Sequence, residues 1–333
     1  MLSFAIYSMP GTSHFLQISG PALPIARDEI FQHDGFVFAP FDLASEPVYV
    51  INGSVENCDL EALDDYQWEM GKRQVEKTSR PTYTAMFDQA LSAIQSGFLE
   101  KIVISARDID QQGILSVSQF VTRLRQSYPN AFVYVFYMPG VEMWIGATPE
   151  MLLEVSDTTR STVALAGTMR NGAKLTDWGE KERLEHRFVE QFVEETLDGR
   201  HYRKTGPAPI QAGPVYHLKT EYQIPLDEPF VNPVDLHPGP ALSGYPVPES
   251  VERIKQIEHE PRRYYTGFLG PVSTSGKCRM YINLRCLEVL QTGSVLYAGG
   301  GLTIDSDLEK EWREIQDKLS TLRSKMYKDH NKV

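Results

Sequence analysis

The stretch Tyr297-Ala-Gly-Gly-Gly-Leu-Thr-Ile-Asp-Ser-Asp-Leu-Glu-Lys-Glu-Trp-Arg-Glu-Ile-Gln-Asp-Lys318 joins a β-favouring run, Ser294 to Tyr297, to a helical pattern through three glycines. Leu308, Trp312, Ile315, Leu319 and Leu322 recur at helical spacing, which predicts a helix from about Ser306 to Tyr327. A strand is thus expected to deliver a side-chain-free loop to the mouth of a helix. Gly299, Gly300 and Gly301 let a ligand approach the backbone closely, and their amides can point at an anion. Glu311, Glu314 and Lys318 stand at i, i+3 and i+7 and project from one helix face. Neighbouring carboxylates repel each other, and a cation between them relieves that repulsion; an isolated pair at this spacing is more often a solvated face.

A second helix, about Asp177 to Leu197, carries Glu182 and Glu185 at the same spacing, with Phe188, Val189, Phe192 and Val193 for the core. Two helices with matched acidic pairs could face each other across one cation, and oxygen-only ligands suit Mg2+. His186 reads as a structural hydrogen-bonder. The strand before this helix, Thr162 to Thr168, ends in Gly167 and Thr168, where backbone and hydroxyl become available.

Further out, a capping residue beside Pro81 opens a helix that Gly97 ends. The strand Lys101 to Arg107 follows, with Lys101 at its end. Such a lysine is most often solvated; to act as a base it needs its pKa lowered from ~10.4 by burial or cationic neighbours. After a helix over Val117 to Ser127, the runs Ala131 to Met138, Glu142 to Ala147 and Met151 to Val155 suggest a meander. Between the last two, Pro149 forces a turn that presents Glu150 beside Met151 and Leu152. A partly buried carboxyl there would donate a proton near neutrality; an exposed turn glutamate is the alternative.

Residues 199 to 213 read as a basic, proline-rich loop, followed by strand-like Val215 to Thr220 and a proline-dense loop from Pro225 to Pro248. A helix over about Glu249 to Ile257 precedes one strand, Arg279 to Leu290, which Arg285 interrupts. A charge in a central strand needs a partner, either a ligand carboxylate or a structural salt bridge. At the other end, Ser3 to Tyr7, Phe15 to Ile18, Gly35 to Phe38 and Pro47 to Ile51 look like an antiparallel lead-in sheet. Glu56 to Arg80 looks like a connector or loosely packed helix. Residues 1–80 are expected to be part of the same fold as a catalytic domain over 81–330.

Bulk properties narrow the function. The 333-residue chain has a formal charge of -11 and no basic stripe, which argues against nucleic acid as a partner. No apolar run approaches the ~20 residues that cross a bilayer, and the N-terminus has no basic region ahead of its apolar patch, so a cytoplasmic protein without a membrane partner is expected. Cys58, Cys278 and Cys286 lack metal-ligand spacing and read as packing residues.

Taken together, KIVISARD (101–108), GATPE (146–150), ALAGT (164–168), EKERLEHRFV (180–189), VYHL (215–218), LHPGPALSGYP (236–246), YYTGFLG (264–270), MYINLRCL (280–287) and the opening stretch resemble the chorismate-utilising enzymes. That family includes isochorismate, salicylate, anthranilate and aminodeoxychorismate synthases. The resemblance implies an α+β fold in which two large antiparallel or mixed sheets pack face to face with helices outside and the active site between them. It implies Mg2+ on Glu185 and Glu314, supported by Glu182 and Glu311, bridging to the ring carboxylate of chorismate. Gly167 and Thr168 would contact that carboxylate, Lys318 would lie near the metal and carboxylate, and His217 would be a further substrate-binding residue. Arg285, Tyr265 and the Gly299, Gly300 and Gly301 amides would hold the enolpyruvyl carboxylate. Lys101 matches the base that activates water for attack at C2, and Glu150 the acid that protonates the departing C4 hydroxyl. Ala241 also sides with water as nucleophile, so no glutamine amidotransferase partner is expected. The implied activity is that of an isochorismate synthase, acting as a monomer and serving menaquinone first or a catecholate siderophore second. A salicylate synthase and a non-catalytic chorismate-binding protein are the alternatives.

Overall fold

The computed structural model describes residues 3–65, 68–169, 172–212 and 215–327. In chain order the elements are β1 (Ser3–Ser8), β2 (Leu16–Gly20), β3 (Ala22–Ile25), β4 (Gly35–Ala39), β5 (Val48–Asn52), β6 (Val55–Asn57), α1 (Arg80–Gln95), β7 (Lys101–Asp110), α2 (Val117–Ser127), β8 (Phe132–Met138), β9 (Glu142–Thr148) and β10 (Met151–Val155). There follow β11 (Arg160–Met169), α3 (Glu180–Thr196), β12 (Arg203–Ala212), β13 (Val215–Ile224), β14 (Gly244–Tyr245), α4 (Val247–Ile257), β15 (Phe268–Val272), β16 (Cys278–Ile282), β17 (Cys286–Leu290), β18 (Gly293–Leu302) and α5 (Leu308–Met326).

Among the described residues the strands form two nine-stranded antiparallel sheets, ordered β14-β7-β18-β17-β9-β8-β1-β2-β6 and β12-β13-β11-β10-β16-β15-β4-β5-β3. Strand alternation explains the layering. On β8, Phe132, Tyr134 and Phe136 point into an aromatic layer shared with Phe36 and Phe38 of the other sheet, while Val133 and Val135 join the helix-covered face. Phe38 stacks on Phe136 with centroids 4.1 Å apart, and Phe132 on Tyr281 at 4.4 Å. Each such pair contributes about 0.5–1.5 kcal/mol beyond its area burial. Helices α1, α2, α4 and α5 cover the first sheet, and α3 covers β11 and β13 of the second. The expected architecture of two large sheets face to face, with helices outside, is therefore the one observed.

Several local expectations are corrected. The opening strands form no sheet of their own: β1, β2 and β6 extend the first sheet, and β3, β4 and β5 the second. Nor is the 56–80 connector loose: after β6 and a short 3-10 turn it runs extended, packs Trp68 on Phe4 and Tyr137, and inserts Arg73 onto buried Glu288. Residues 203–212 of the supposed loop form strand β12. Prolines 207 and 209 are tolerated there because β12 is an edge strand. The meander is broken, because β9 and β10 lie in different sheets, and the single strand over 279–290 divides into β16 and β17 for the same reason. Glycines 299–301 belong to β18 rather than to a loop, paired with Ser105, Ile104 and Val103.

Candidate active site

Two of the crossings between the sheets lie side by side and carry candidate site residues. The chain passes from β9 to β10 through Pro149 and Glu150, and from β16 to β17 through Asn283, Leu284 and Arg285. Ile282 N donates to Glu150 O at 2.9 Å and Ala147 N to Arg285 O at 3.1 Å, so each crossing fixes the other. Asn283 anchors the pair, accepting from Tyr134 Oη at 2.5 Å and donating to Tyr264 O at 2.8 Å. Arg285 is held in the left-handed region, φ 48°, a conformation that costs a non-glycine residue energy. It is thus a residue at a crossing, not a charge inside a strand. Among the described residues no carboxylate ion-pairs with it, which removes the structural salt bridge as its partner; its guanidinium lies 6.0 Å from the Tyr128 ring centroid.

Lys101 opens β7 and is only 3% exposed, with Nζ 3.8 Å from Glu185 Oε2. Burial lowers its pKa; Glu185 and Glu150 oppose that shift, while Lys318 and Lys181 add to it. Glu150 opens partly into the cleft, yet protein around its carboxyl raises its pKa to about 7 against the pull of Lys101 and Arg285. Amine and acid are therefore shifted in opposite directions across one space. Ala241 lies in the loop before β14, whose Ser243 O accepts from Val103 N of β7 at 2.8 Å.

The glycines of β18 make room for this machinery. A Cβ on Gly301 would come 3.0 Å from Lys101 Cε, and one on Gly299 would come 3.0 Å from Tyr265 Oη. Val103 N and Ser105 N bond away from β18, to Ser243 O and Glu258. In an antiparallel ladder the opposed residues Gly301 and Gly299 then turn their polar groups to the other side, where β17 has ended. Lys318 Nζ takes up Gly299 O there, at 2.8 Å. Tyr265 is buried and stacks on Tyr297 at 5.3 Å.

Two helices roof the space, one from each sheet. Asp307 caps α5 by accepting from Lys310 N at 3.0 Å, so the helix begins at Leu308 rather than Ser306. Ser306 Oγ donates to Glu311 at 3.0 Å, and the Glu311 carboxylate lies over Gly300, where an added Cβ would be 3.5 Å away. Lys181 of α3 reaches Glu311 at 3.6 Å, tying the helices together. Burial raises the Glu311 pKa, Lys181 opposes it, and Glu314 and Glu185 push it further up. Burial acts the same way on Glu314, but Lys318, 2.7 Å away, prevails with help from Lys181 and His217, and the carboxyl is held low. Glu182 turns its carboxylate back towards Gly179 at the start of α3. Beneath, Gly167 sits at a bulge with φ 73°, and His217 Nδ1 donates to Gly167 O at 2.8 Å with Thr168 Oγ1 3.2 Å away. His186 is buried and bonds Thr220 Oγ1 at 2.9 Å.

No three metal-ligating side chains gather around one point among the described residues; Lys101, Lys181 and Lys318 hold the carboxylates instead. The donors nonetheless fit a hard dication, because they are all carboxylate oxygens and Glu311 feels the charges of both Glu185 and Glu314. Tyr128, Lys181 and Asn283 lie against the candidate site residues Arg285, Glu311 and the paired crossings, and none of them is singled out from the sequence. Lys181 carried a signal, as the cation flanking Glu182; Tyr128 and Asn283 carried none. A separate cleft of about 740 Å³ lies at the opposite end of β7, between Trp68 to Lys72 and the β17–β18 turn.

An amine and an acid shifted towards each other's range, beside a guanidinium without an ion-paired carboxylate among the described residues, are the equipment of an enzyme suited to acid–base chemistry on a small anion. The chain belongs to the chorismate-binding enzyme family, whose model matches residues 54–327. It is 28% identical to isochorismate synthase EntC of Escherichia coli (strain K12) over 259 residues, 72% of this chain and 66% of EntC. It is 26% identical to isochorismate synthase MenF of the same organism over 258 residues, 73% of this chain and 59% of MenF. Anthranilate synthase component 1 of Aeropyrum pernix is 28% identical over 273 residues, 74% and 60% of the two chains. The chain thus spans about two thirds of EntC, and less of the other two. Solved structures share the fold: DhbC from Bacillus anthracis with TM-score 0.81 at 22% identity, covering 97% and 96% of the two chains. Menaquinone-specific MenF from Escherichia coli gives 0.78 at 18%, covering 98% and 89%. Among the described residues no helix is long and apolar enough to cross a membrane.

Proposed function

We propose that this chain is an isochorismate synthase, converting chorismate to isochorismate by attack of water at C2 and loss of the C4 hydroxyl. The observation that carries the reading is the opposed pair: Lys101, whose buried amine is pushed towards its neutral form, and Glu150, whose carboxyl is raised to about 7. Neutral Lys101 takes a proton from the attacking water. Protonated Glu150 gives its proton to the departing hydroxyl, which leaves as water, and each group ends in the form that the other began in. Arg285, Tyr265 and the amides of Gly299 and Gly301 hold the enolpyruvyl carboxylate. Gly167, Thr168 and His217 flank the ring carboxylate, and Ala241 leaves space for water.

Glu185 and Glu314 would hold Mg2+, with Glu182 and Glu311 supporting it directly or through water. When bound, the ion supplies the positive charge that lets a dianionic substrate enter a cleft already lined with carboxylates. Lys318 helps to hold the Glu314 carboxyl low, and Lys181 opposes the rise that burial imposes on Glu311. Turnover should vanish in excess EDTA and return with added Mg2+, and Glu314→Gln should bind Mg2+ more weakly in calorimetry. Full activity in EDTA would remove the metal from the reading.

The test of the whole reading is incubation with chorismate and Mg2+, with products separated by mass and coupled to lactate dehydrogenase. An isomer of unchanged mass and no pyruvate is expected. Prompt pyruvate release would establish a salicylate synthase instead, and wild-type turnover surviving in Lys101→Ala would discard the assigned base.

A further inference from the structure

Arg285 is a half-buried cation with no carboxylate partner among the described residues, held in a left-handed backbone conformation and facing a cleft. Something must keep a long, flexible guanidinium aimed while the site is empty. Among the described residues the ring of Tyr128 lies 6.0 Å from Arg285 Cζ to the centroid, within the range at which an aromatic face attracts a cation, and Glu150 is the carboxylate whose charge Arg285 feels without an ion pair.

Tyr128 is itself fixed more firmly than a helix end requires. It is the C-cap of α2, its N–H donates to Leu124 O at 2.9 Å, and its carbonyl accepts from Ala131 N at 3.0 Å and from Arg125 Nη2 at 2.5 Å. Arg125 is buried and its other terminal nitrogen donates to Ala131 O at 2.9 Å and to Met9 O at 3.1 Å. The next residue, Pro129, accepts from Gly11 N at 2.8 Å. The turn between β1 and β2 therefore clamps the end of α2, and the end of α2 presents a ring to Arg285. We propose that Tyr128 is a positioning residue for substrate binding: its face holds Arg285 ready for the ligand carboxylate, and the N-terminal turn fixes Tyr128 through Arg125.

This inference rests on the isochorismate synthase reading, in which Arg285 receives a chorismate carboxylate. Tyr128→Leu should raise the KM for chorismate about tenfold, the scale of a partly desolvated cation–π contact, and leave kcat within about threefold. Tyr128→Phe, which keeps the face and loses the hydroxyl, should restore the wild-type KM. In an Arg285→Met background, Tyr128→Leu should change chorismate affinity less than about twofold, since a purely structural role would give the same loss in both backgrounds. If Tyr128→Leu does not fold, replacing Tyr128 by phenylalanines of increasing fluorination keeps the shape and weakens the ring face; KM should climb with each fluorine. A flat fluorination series, an equal loss in both backgrounds, or a Tyr128→Phe as impaired as Tyr128→Leu overturns the inference while wild-type turnover leaves the functional reading standing. A wild-type protein that neither binds nor converts chorismate overturns both.

Discussion

Glu288 and Glu150 are both glutamates whose pKa burial raises, yet their surroundings are opposite in kind. Glu288, whose side chain has no exposure, accepts from Tyr297 Oη at 2.9 Å and from Arg73 and Arg263. Arg263 also meets Glu142 at 3.1 Å and Glu46 at 3.8 Å, and Arg73 meets Glu260 at 3.5 Å. Glu150 receives no side-chain donor among the described residues, and neighbouring Arg285 has no carboxylate. A fully satisfied buried charge is structure, because removing one member strands the others. An unsatisfied one is tolerated only where something else completes it. The contrast singles out the candidate site without reference to any relative, and it can be attacked from both sides.

The largest effect should come from the unsatisfied side. Lys101→Ala and Glu150→Gln should each lower kcat by about 10²- to 10⁴-fold, the usual worth of a placed base or acid, with much smaller changes in KM. Steady-state kinetics at pH 7 with chorismate and Mg2+ measure this. Glu150→Gln should not unfold at a lower temperature than wild type, because it breaks no completed network; a large drop in its melting temperature would erase the distinction drawn above.

The satisfied side should behave in the reverse way. Glu288→Ala strands two buried guanidiniums and should cost about 3–5 kcal/mol of stability. Chemical denaturation reads that loss directly. Folded protein assayed at low temperature should keep kcat within about threefold of wild type. A variant as stable as wild type but inactive would mean that Glu288 belongs to the catalytic set.

The two clusters were not equally legible in the sequence. Lys101, Glu150 and the acidic pairs on α3 and α5 stand out because charge breaks a run of apolar residues or repeats at helical spacing. Arg73 gave no such signal, since it lies in a polar stretch whose pairing with Glu288 spans most of the chain. The helices and most strands follow from caps and periodicity; Ser79 accepts from Thr82 N at 3.2 Å, where the capping pattern places it. Sheet membership did not follow. A β-favouring run looks the same whether it stays in its sheet or crosses, so the breaks at Glu150 and Arg285 were read as a turn within a meander and a flaw in a strand. Both breaks carry candidate site residues, and local rules are expected to fail at such positions. The β18 glycines were read as ligand space, whereas at 299 and 301 they also accommodate Tyr265 and Lys101.

Histidines offer a third, smaller comparison. His237 lies away from the cleft, buried against Phe268 and Phe41, with Nε2 donating to Phe41 O at 3.2 Å. Burial lowers its pKa to about 4, against the pull of the backbone carbonyls of Phe41 and Pro40. A depressed folded-state pKa means that the unfolded chain binds more protons, so this contribution to stability is whole above the unfolded value of about 6.5 and is lost as pH falls towards 4. The loss across that window should approach about 3 kcal/mol, at 1.36 kcal/mol per unit. Denaturation at pH 7.5 and 4.5 would show it. His237→Phe should flatten that part of the profile, and an unchanged slope would assign it to other groups.

The smallest expected effect has the most telling sign. Glu150 has its folded-state pKa raised from the carboxylate range to about 7, so its contribution to stability is complete below the unfolded pKa and is lost as pH rises through about 7. At pH 8 wild type therefore carries a penalty for an ionised, incompletely paired carboxylate. Glu150→Gln cannot ionise and should be more stable than wild type there, by about 1–2 kcal/mol once the partial opening of the group to water is allowed for. The gain should shrink towards zero below pH 5, where both side chains are neutral. Melting temperatures of the two proteins across pH 5 to 8 provide the check. A substitution that nearly abolishes turnover while raising the melting point is what an incomplete site requires, because the strain that it removes is the strain that keeps a proton ready. Equal melting points at pH 8 would instead mean that the Glu150 carboxylate is already satisfied, and the contrast with Glu288 would fail at its strongest point.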